Sequence, residues 1–320
     1  MRLYLIYACC VFAAWALTLT LLDSWHVLLN YWPSALTMMF GSFIAGASAE
    51  GGGAIAYPVF TLLLKIPPDS ARNFSFAIQS VGMVSASMLI IGRKIRIEWK
   101  AIVYPSIGGI VGLVLGTYFV VPLLNAVQTK LFFVSLWLAF GIGLWLANRQ
   151  ASRHVRDHLS GIARRGRVIL ILVGFGGGII TAIFGNGIDI FTFCVLTLWY
   201  GMNEKVATPT SVVLMSILTV AGFLLHSVVK QDFGPLEWSY WMAAIPVAAV
   251  FAPLGAWAIT YLHRLQIARI LYAIIAAQFV GALYVLGFTT ANLVFCGIVA
   301  TIGTIVMMRI DRTATITATT

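Results

Sequence analysis

The 320-residue chain is 61% hydrophobic and 9% charged, with a mean hydropathy of +0.97 and a formal net charge of +10. A water-soluble domain carries about 25% charged residues, so the composition excludes an ordinary soluble enzyme or binding module. Nucleic acid is excluded as a partner because half of the Lys and Arg sit in two short segments between apolar runs, "GRKIRIEWK" (92–100) and "NRQASRHVRDHLSGIARRGR" (148–167), as in the cytoplasmic loops of membrane proteins.

The first apolar run, 3–22, follows Arg2 as a signal peptide would. It is longer than the usual hydrophobic region and lacks a small-residue cleavage site, so it reads as a retained helix. Segment 34–64 follows and is interrupted by "GASAEGGGAIAYP" (46–58). Apolar runs at 70–91, 101–124 and 130–147 read as crossings. Loop 148–167 is a topology signal, or also a surface helix on the anionic leaflet. It holds His154 and His158 at i, i+4, but no carboxylate or thiol cluster accompanies them to make a metal site. Segment 168–200 is interrupted by "FGNGIDIF", and runs at 205–228, 239–262, 267–286 and 289–308 complete the chain. Cys9, Cys10, Cys194 and Cys296 fall within apolar runs without a C-x-x-C pair, which supports neither a disulfide framework nor zinc.

Segments 34–64 and 168–200 do not read as simple crossings. Each glycine break leaves arms of about 12 to 17 residues, roughly 18–25 Å of helix, against a hydrocarbon core of about 30 Å. The positive-inside rule favours re-entrant hairpins over single broken crossings. With hairpins, Arg2, Arg264, Arg309 and Arg312 join the basic loops on the cytoplasmic side, while "KQDFGPLE" (230–237) faces outside. Both termini are then cytoplasmic.

The two segments also open a repeat. Gly51, Gly53 and Tyr57 match Gly185, Gly187 and Phe191; after a two-residue slip, Ala71, Ser75 and Ser80 match Ala207, Ser211 and Ser216. Three crossings after each hairpin turn the second unit upside down, an arrangement typical of secondary transporters. The expected fold is an all-α integral membrane protein of two inverted repeats, each a re-entrant broken-helix hairpin plus three transmembrane helices, with one extra helix at each end. The units are 1–33 (helix and external loop), 34–147 (first repeat), 148–167 (basic cytoplasmic loop), 168–286 (second repeat) and 287–320 (last helix and tail).

The glycine turn "GGGAIAYP", the connector "KIPPDSARNFS" and the later "GFGGGIITAIFGNGIDIF" with "ATPTS" resemble the sulfite exporter TauE/SafE family over about residues 34–286. The resemblance implies a permease for sulfite, sulfonates or related sulfur oxyanions without ATP-binding machinery, in a bacterial inner membrane. The chain departs from the family pattern in "SAEGGG" and in Asn186 and Asp189.

Backbone that breaks inside a bilayer must line a polar cavity or be buried in protein. Helices starting near Ala54 and Ile188 would aim free N–H groups at the midplane, where they attract anions. Glycine at Gly51, Gly52, Gly53, Gly185 and Gly187, with Asn186, permits close approach of a small oxyanion; close helix packing through small residues is the competing explanation. Glu50 and Asp189 are candidates for proton coupling, since a carboxylate inside a membrane usually faces a cavity or a partner; a structural carboxyl bonded to the break is the alternative. Asn73, Ser75 and Gln79 share roughly one helical face, and Thr210 and Ser211 occupy the matching place in the second repeat. All five are candidate oxyanion donors, against local capping and back-bonding. Arg72 is either an anion attractor or an interfacial side chain that snorkels; Lys205 reads the same way on the other side.

A secondary transporter for a small sulfur anion is therefore expected, with a channel or a membrane-embedded enzyme as the alternatives. No nucleophile–base pair, metal cluster or G-x-x-x-x-G-K-[ST] motif accompanies the spans, and His226 alone makes no site. No cofactor is implied. The expected partners are the anion and membrane lipids, with the oligomeric state open and a homodimer included.

Overall fold

The computed structural model describes residues 2–148, 156–159, 164–262 and 264–317. Most of the basic loop, including His154, lies outside the described residues. The helices are α1 (Arg2–Leu21), α2 (His26–Asn30), α3 (Trp32–Ala47), α4 (Gly53–Pro58), α5 (Pro68–Gly92), α6 (Lys100–Leu115) and α7 (Ala126–Asn148). After the basic loop come α8 (Arg164–Phe184), α9 (Ile188–Cys194), α10 (Glu204–Leu224), α11 (Pro235–Ala258), α12 (Arg264–Leu286) and α13 (Thr290–Thr317). Among the described residues, seven helices are long and apolar enough to cross a membrane: α1, α5, α6 with its extension to Leu123, α7, α8, α10 with its extension to Val229, and α11. The chain is an integral membrane protein.

Both expected glycine breaks exist. The first separates α3 from α4, which continues as a π turn over Val59–Leu63. The second separates α8 from α9, which continues as a π turn over Val195–Trp199. One expectation fails: α8 is 21 residues long and qualifies as a full crossing by length. Its helix begins at Arg164, upstream of the apolar run, because arginines are good helix formers and extend the first turn into the basic loop.

The features after the breaks recur in the same order and at one constant interval. The π turns begin at Val59 and Val195, the left-handed residues Lys65 and Gly201 follow, and the next helices start at Pro68 and Glu204. Tyr240 packs its ring on both Tyr31, just before α3, and Phe60, just after α4, at 4.9 and 5.1 Å between centroids. In the second half, the Tyr200 hydroxyl after α9 donates to the Gly166 carbonyl near the start of α8 (3.5 Å).

Two glycine seams bring helices from different halves into backbone contact. A Cβ on Gly46 of α3 would collide with the Ala252 carbonyl of α11, and one on Gly255 of α11 with the Phe43 carbonyl of α3. The α6–α8 seam is built the same way, with Gly108 against Ile171 and Gly174 against Pro105. Small residues let membrane helices approach this closely, where dispersion and weak hydrogen bonds replace the hydrophobic drive. Between the seams, α5 is largely buried and runs beside α10, whereas α1 buries only Ala8 and Leu19. The aromatic core joins α7 to both breaks: Phe133 stacks on Trp137 at 4.3 Å and packs on Tyr57 and Phe184 at 5.1 and 5.0 Å.

Candidate functional site

The two breaks meet on α5. Gln79 spans them: its Oε1 accepts from the Gly52 N–H (3.1 Å), and its Nε2 donates to the Gly185 carbonyl (2.9 Å) and to Ser75 Oγ (2.8 Å). Asn186 ties the breaks directly, donating from Nδ2 to the Glu50 carbonyl (2.9 Å). Gly51 and Gly185 have φ of +68° and +78°, a left-handed conformation that glycine adopts without penalty. Space excludes larger residues as well. A Cβ on Gly51 would lie 2.6 Å from Asp189 Oδ2, and one on Gly53 would strike Ser75 Oγ and lie 2.9 Å from Asn186 Oδ1.

Glu50, Ser75, Asn186 and Asp189 are fully buried and Gln79 nearly so; the site is occluded. Both Glu50 carboxyl oxygens, Asp189 Oδ2 and Asn186 Oδ1 have no hydrogen-bond partner. Each is an acceptor. A buried acceptor costs free energy until a donor or a cation meets it, so the centre is short of donors.

The second break uses its own N–H groups. Asp189 Oδ1 accepts from Gly187 (3.1 Å) and Ile190 (3.0 Å), and Thr181 Oγ1 accepts from Ile188 (2.9 Å). The expectation of free donors at the start of this helix is therefore corrected. In the first break Gly52 N–H is likewise taken, by Gln79.

The family model described as sulfite exporter TauE/SafE matches residues 34–282, a span that contains both breaks and α5. The chain belongs to the sulfite exporter TauE/SafE family. No curated protein and no solved structure matches it. This is a family of membrane transporters, and in this TauE/SafE member the glycine motifs that carried the resemblance are the two breaks converging on Gln79.

The side chains of five further candidates do not bond to the breaks. Thr210 Oγ1 accepts from the Glu98 N–H (2.9 Å) and donates to the Val206 carbonyl (2.6 Å). It helps hold the α5–α6 connector. Ser211 donates to the Thr208 carbonyl (2.8 Å), the local back-bonding that competes with ligand contacts. Asn73 donates to the Asp232 carbonyl (2.9 Å), and its Oδ1 accepts from Arg72 Nε and Nη2 at 3.2 and 3.1 Å. Arg72 neither snorkels nor stands free: it is buried and pairs with exposed Asp69 at 3.0 Å. Lys205 is exposed.

Three features escaped sequence reasoning. Thr181 caps the second break from a turn ahead of it; a hydroxyl one or two turns before a glycine break was the available signal. The pairing of His226 Nδ1 with Asp232 Oδ1 (2.8 Å) joins residues only six apart, yet a single histidine advertises nothing. Burial raises the Asp232 carboxyl, but the His226 hydrogen bond and the Lys230 ammonium at 3.0 Å outweigh it and hold the group below the usual carboxylate range. Finally, Glu98 Oε2 accepts from the Leu159 N–H (3.0 Å), where the sequence offered only a charge in a basic loop.

Proposed function

We propose that the chain is a secondary transporter for a small sulfur oxyanion, sulfite or an organosulfonate, which binds where the two glycine breaks face each other. The convergence of both breaks on Gln79 carries this reading, because it makes one α5 side chain sense both halves at once. The binding set is Gly51–Gly53, Ser75, Gln79 and Gly185–Gly187. The breaks belong to re-entrant hairpins of two inverted repeats. Tyr240 contacting both ends of the first hairpin supports this, as does the Tyr200–Gly166 contact in the second. Both termini lie in the cytoplasm of a bacterial inner-membrane protein.

Glu50, with Asp189 beside the opposite break, exchanges a proton during the cycle. An ionised pair beside an anion repels it, whereas a protonated carboxyl adds an O–H donor where only acceptors are unpartnered. Proton and anion therefore enter together. On opening, Gln79 releases Gly52 and Gly185, and the freed amide and backbone N–H groups turn to the oxyanion.

Uptake of labelled sulfite and of a labelled alkylsulfonate into proteoliposomes tests the reading. A pH gradient should drive accumulation, and Glu50→Gln should remove the pH dependence while retaining exchange of internal for external anion. Gln79→Ala should lower both activities at least about tenfold, equivalent to about 1.4 kcal/mol. Unchanged pH dependence in Glu50→Gln would sink the coupling, and full activity in Gln79→Ala would remove the binding site from the breaks.

A further inference from the structure

A second polar cluster lies beyond the breaks, at the start of α5 and the end of α10. His226 is fully buried in the π turn Leu225–Val229 and stacks on Phe76 of α5 at 5.4 Å between ring centroids. Its Nδ1 lies 2.8 Å from Asp232 Oδ1, and its Nε2 has no hydrogen-bond partner. The Asp232 N–H donates back to the His226 carbonyl (3.0 Å), and the Asp232 carbonyl accepts from Asn73 Nδ2 (2.9 Å). Arg72 and its partner Asp69 complete the chain.

These contacts fasten the connector 230–234 of the second half onto the first turns of α5 in the first half. Ser75 stands one turn farther along α5 and Gln79 two, and the Arg72 carbonyl lies 2.8 Å from where a Gly185 Cβ would be. The cluster covers that end of the binding centre.

We propose that His226 and Asp232 form a proton-operated latch holding this mouth of the carrier shut, fastened by the neutral imidazole and released when Nε2 takes a proton. The latch rests on the alternating-access reading above but uses a group separate from Glu50. In the fastened state Nδ1–H donates to Asp232 and Nε2 is an unpartnered acceptor. A proton on Nε2 creates a buried N–H with no acceptor, in a cluster that already holds the cationic Arg72 and Lys230.

The anionic groups around the ring are already engaged. Asp232 is shared with Lys230, and Asp69 pairs with Arg72. Glu237 Oε2 accepts from the Gly234 N–H at the head of α11. The remaining titratable neighbours are phenols: Tyr57, which interacts electrostatically with Arg72, and Tyr118, whose ring lies 5.9 Å from Lys230 Nζ. None offers the imidazolium a second acceptor in place, so the ring swings toward water and the connector lifts.

The test needs no transport. In full-length protein with its four cysteines replaced, a single cysteine is placed at buried Ala71 in the first turn of α5, or at its repeat counterpart Ala207 in α10. Reaction with a charged thiol reagent is followed in detergent from about pH 8 to about pH 5.5, the window in which imidazole titrates. The ratio of the two rates cancels the change in thiolate fraction.

The ratio should rise at least about tenfold on acidification. His226→Phe, which keeps the stack on Phe76 but loses the bond, should show a high ratio at every pH. His226→Asn, which keeps a donor near Nδ1 but cannot take a proton, should show a low ratio at every pH. A ratio that stays flat or falls in the parent protein overturns the latch, as does a pH response that survives in His226→Asn. A flat ratio with intact anion uptake condemns the latch alone, while a pH-dependent ratio without uptake or exchange condemns the carrier reading alone.

Discussion

Gly174 and Gly176 lie two residues apart on α8 and face different worlds. A Cβ on Gly174 would collide with the Pro105 carbonyl of α6, whereas one on Gly176 would meet nothing within 4 Å. Gly174→Ala should therefore force the seam apart and destabilise the protein by about 1–3 kcal/mol, the usual cost of overpacking. Gly176→Ala should be neutral or stabilising by up to about 1 kcal/mol through helix propensity. Thermal unfolding in detergent distinguishes them; equal effects would mean that the seam gives way freely. The same scale explains where sequence reading succeeded and failed. Glycines flanked by Glu50 and Asn186 announced the centre, because few other residues tolerate such a break. Asn73, Thr210 and Ser211 bond to groups other than the breaks, because helical spacing gives the direction of a side chain but not its partner. Ser75 and Ser211 match in the repeat, yet Ser75 has Gln79 one turn on, while the corresponding position in α10 is Met215. Only one half supplies the bridging amide.

At the level of elements, the segment Arg156–Leu159 is clipped to two connectors at the end of α5 opposite His226. Arg156 N–H donates to the Gly201 carbonyl (2.8 Å) and its carbonyl accepts from Asn203 (2.9 Å). Asp157 accepts from Asn203 Nδ2 (3.0 Å) and from Arg96 (2.8 Å). The Asn203 amide first, with the Arg96 guanidinium, holds the Asp157 carboxyl below the usual range despite the opposing effect of burial. A depressed carboxylate contributes stability above its unfolded pKa of about 3.9 and loses it as pH falls through the folded value. Asp157→Ala should thus melt below the parent protein at pH 7, with the gap closing only under strongly acidic conditions. A gap that did not narrow at all on acidification below the unfolded value would assign the effect to packing. The loop's positive charge was legible in the sequence, but its docking was not, since that depends on backbone pairs with Gly201 and Asn203 that any residues could make. The length of α8 escaped for a related reason: apolarity marks where a helix meets lipid, while the helix itself runs on into Arg164–Arg167.

Across the whole molecule, the apolar runs made the all-helical membrane character readable, because a bilayer leaves few ways to satisfy backbone groups. Which helices pair was not readable. The α3–α11 and α6–α8 seams join elements from opposite halves, and glycine on each partner says that a close neighbour exists without naming it. If these seams hold the molecule together, the halves should reassemble as separate chains. Co-expressed fragments ending near residue 150 and starting near residue 160 should co-purify and exchange anion, whereas either alone should be degraded. Independent folding of the first fragment would contradict the dependence of α3 on α11.

That dependence also sets an order of events during synthesis. Ser34 at the head of α3 donates to the carbonyl of Tyr240, 206 residues later in the chain. At a translation rate of about 5–20 residues per second, α3 waits roughly 10–40 s before its permanent neighbour exists. Through that interval its polar turn must be sheltered by the insertion machinery or remain at the membrane surface. The final packing of α3 is therefore timed by the emergence of α11.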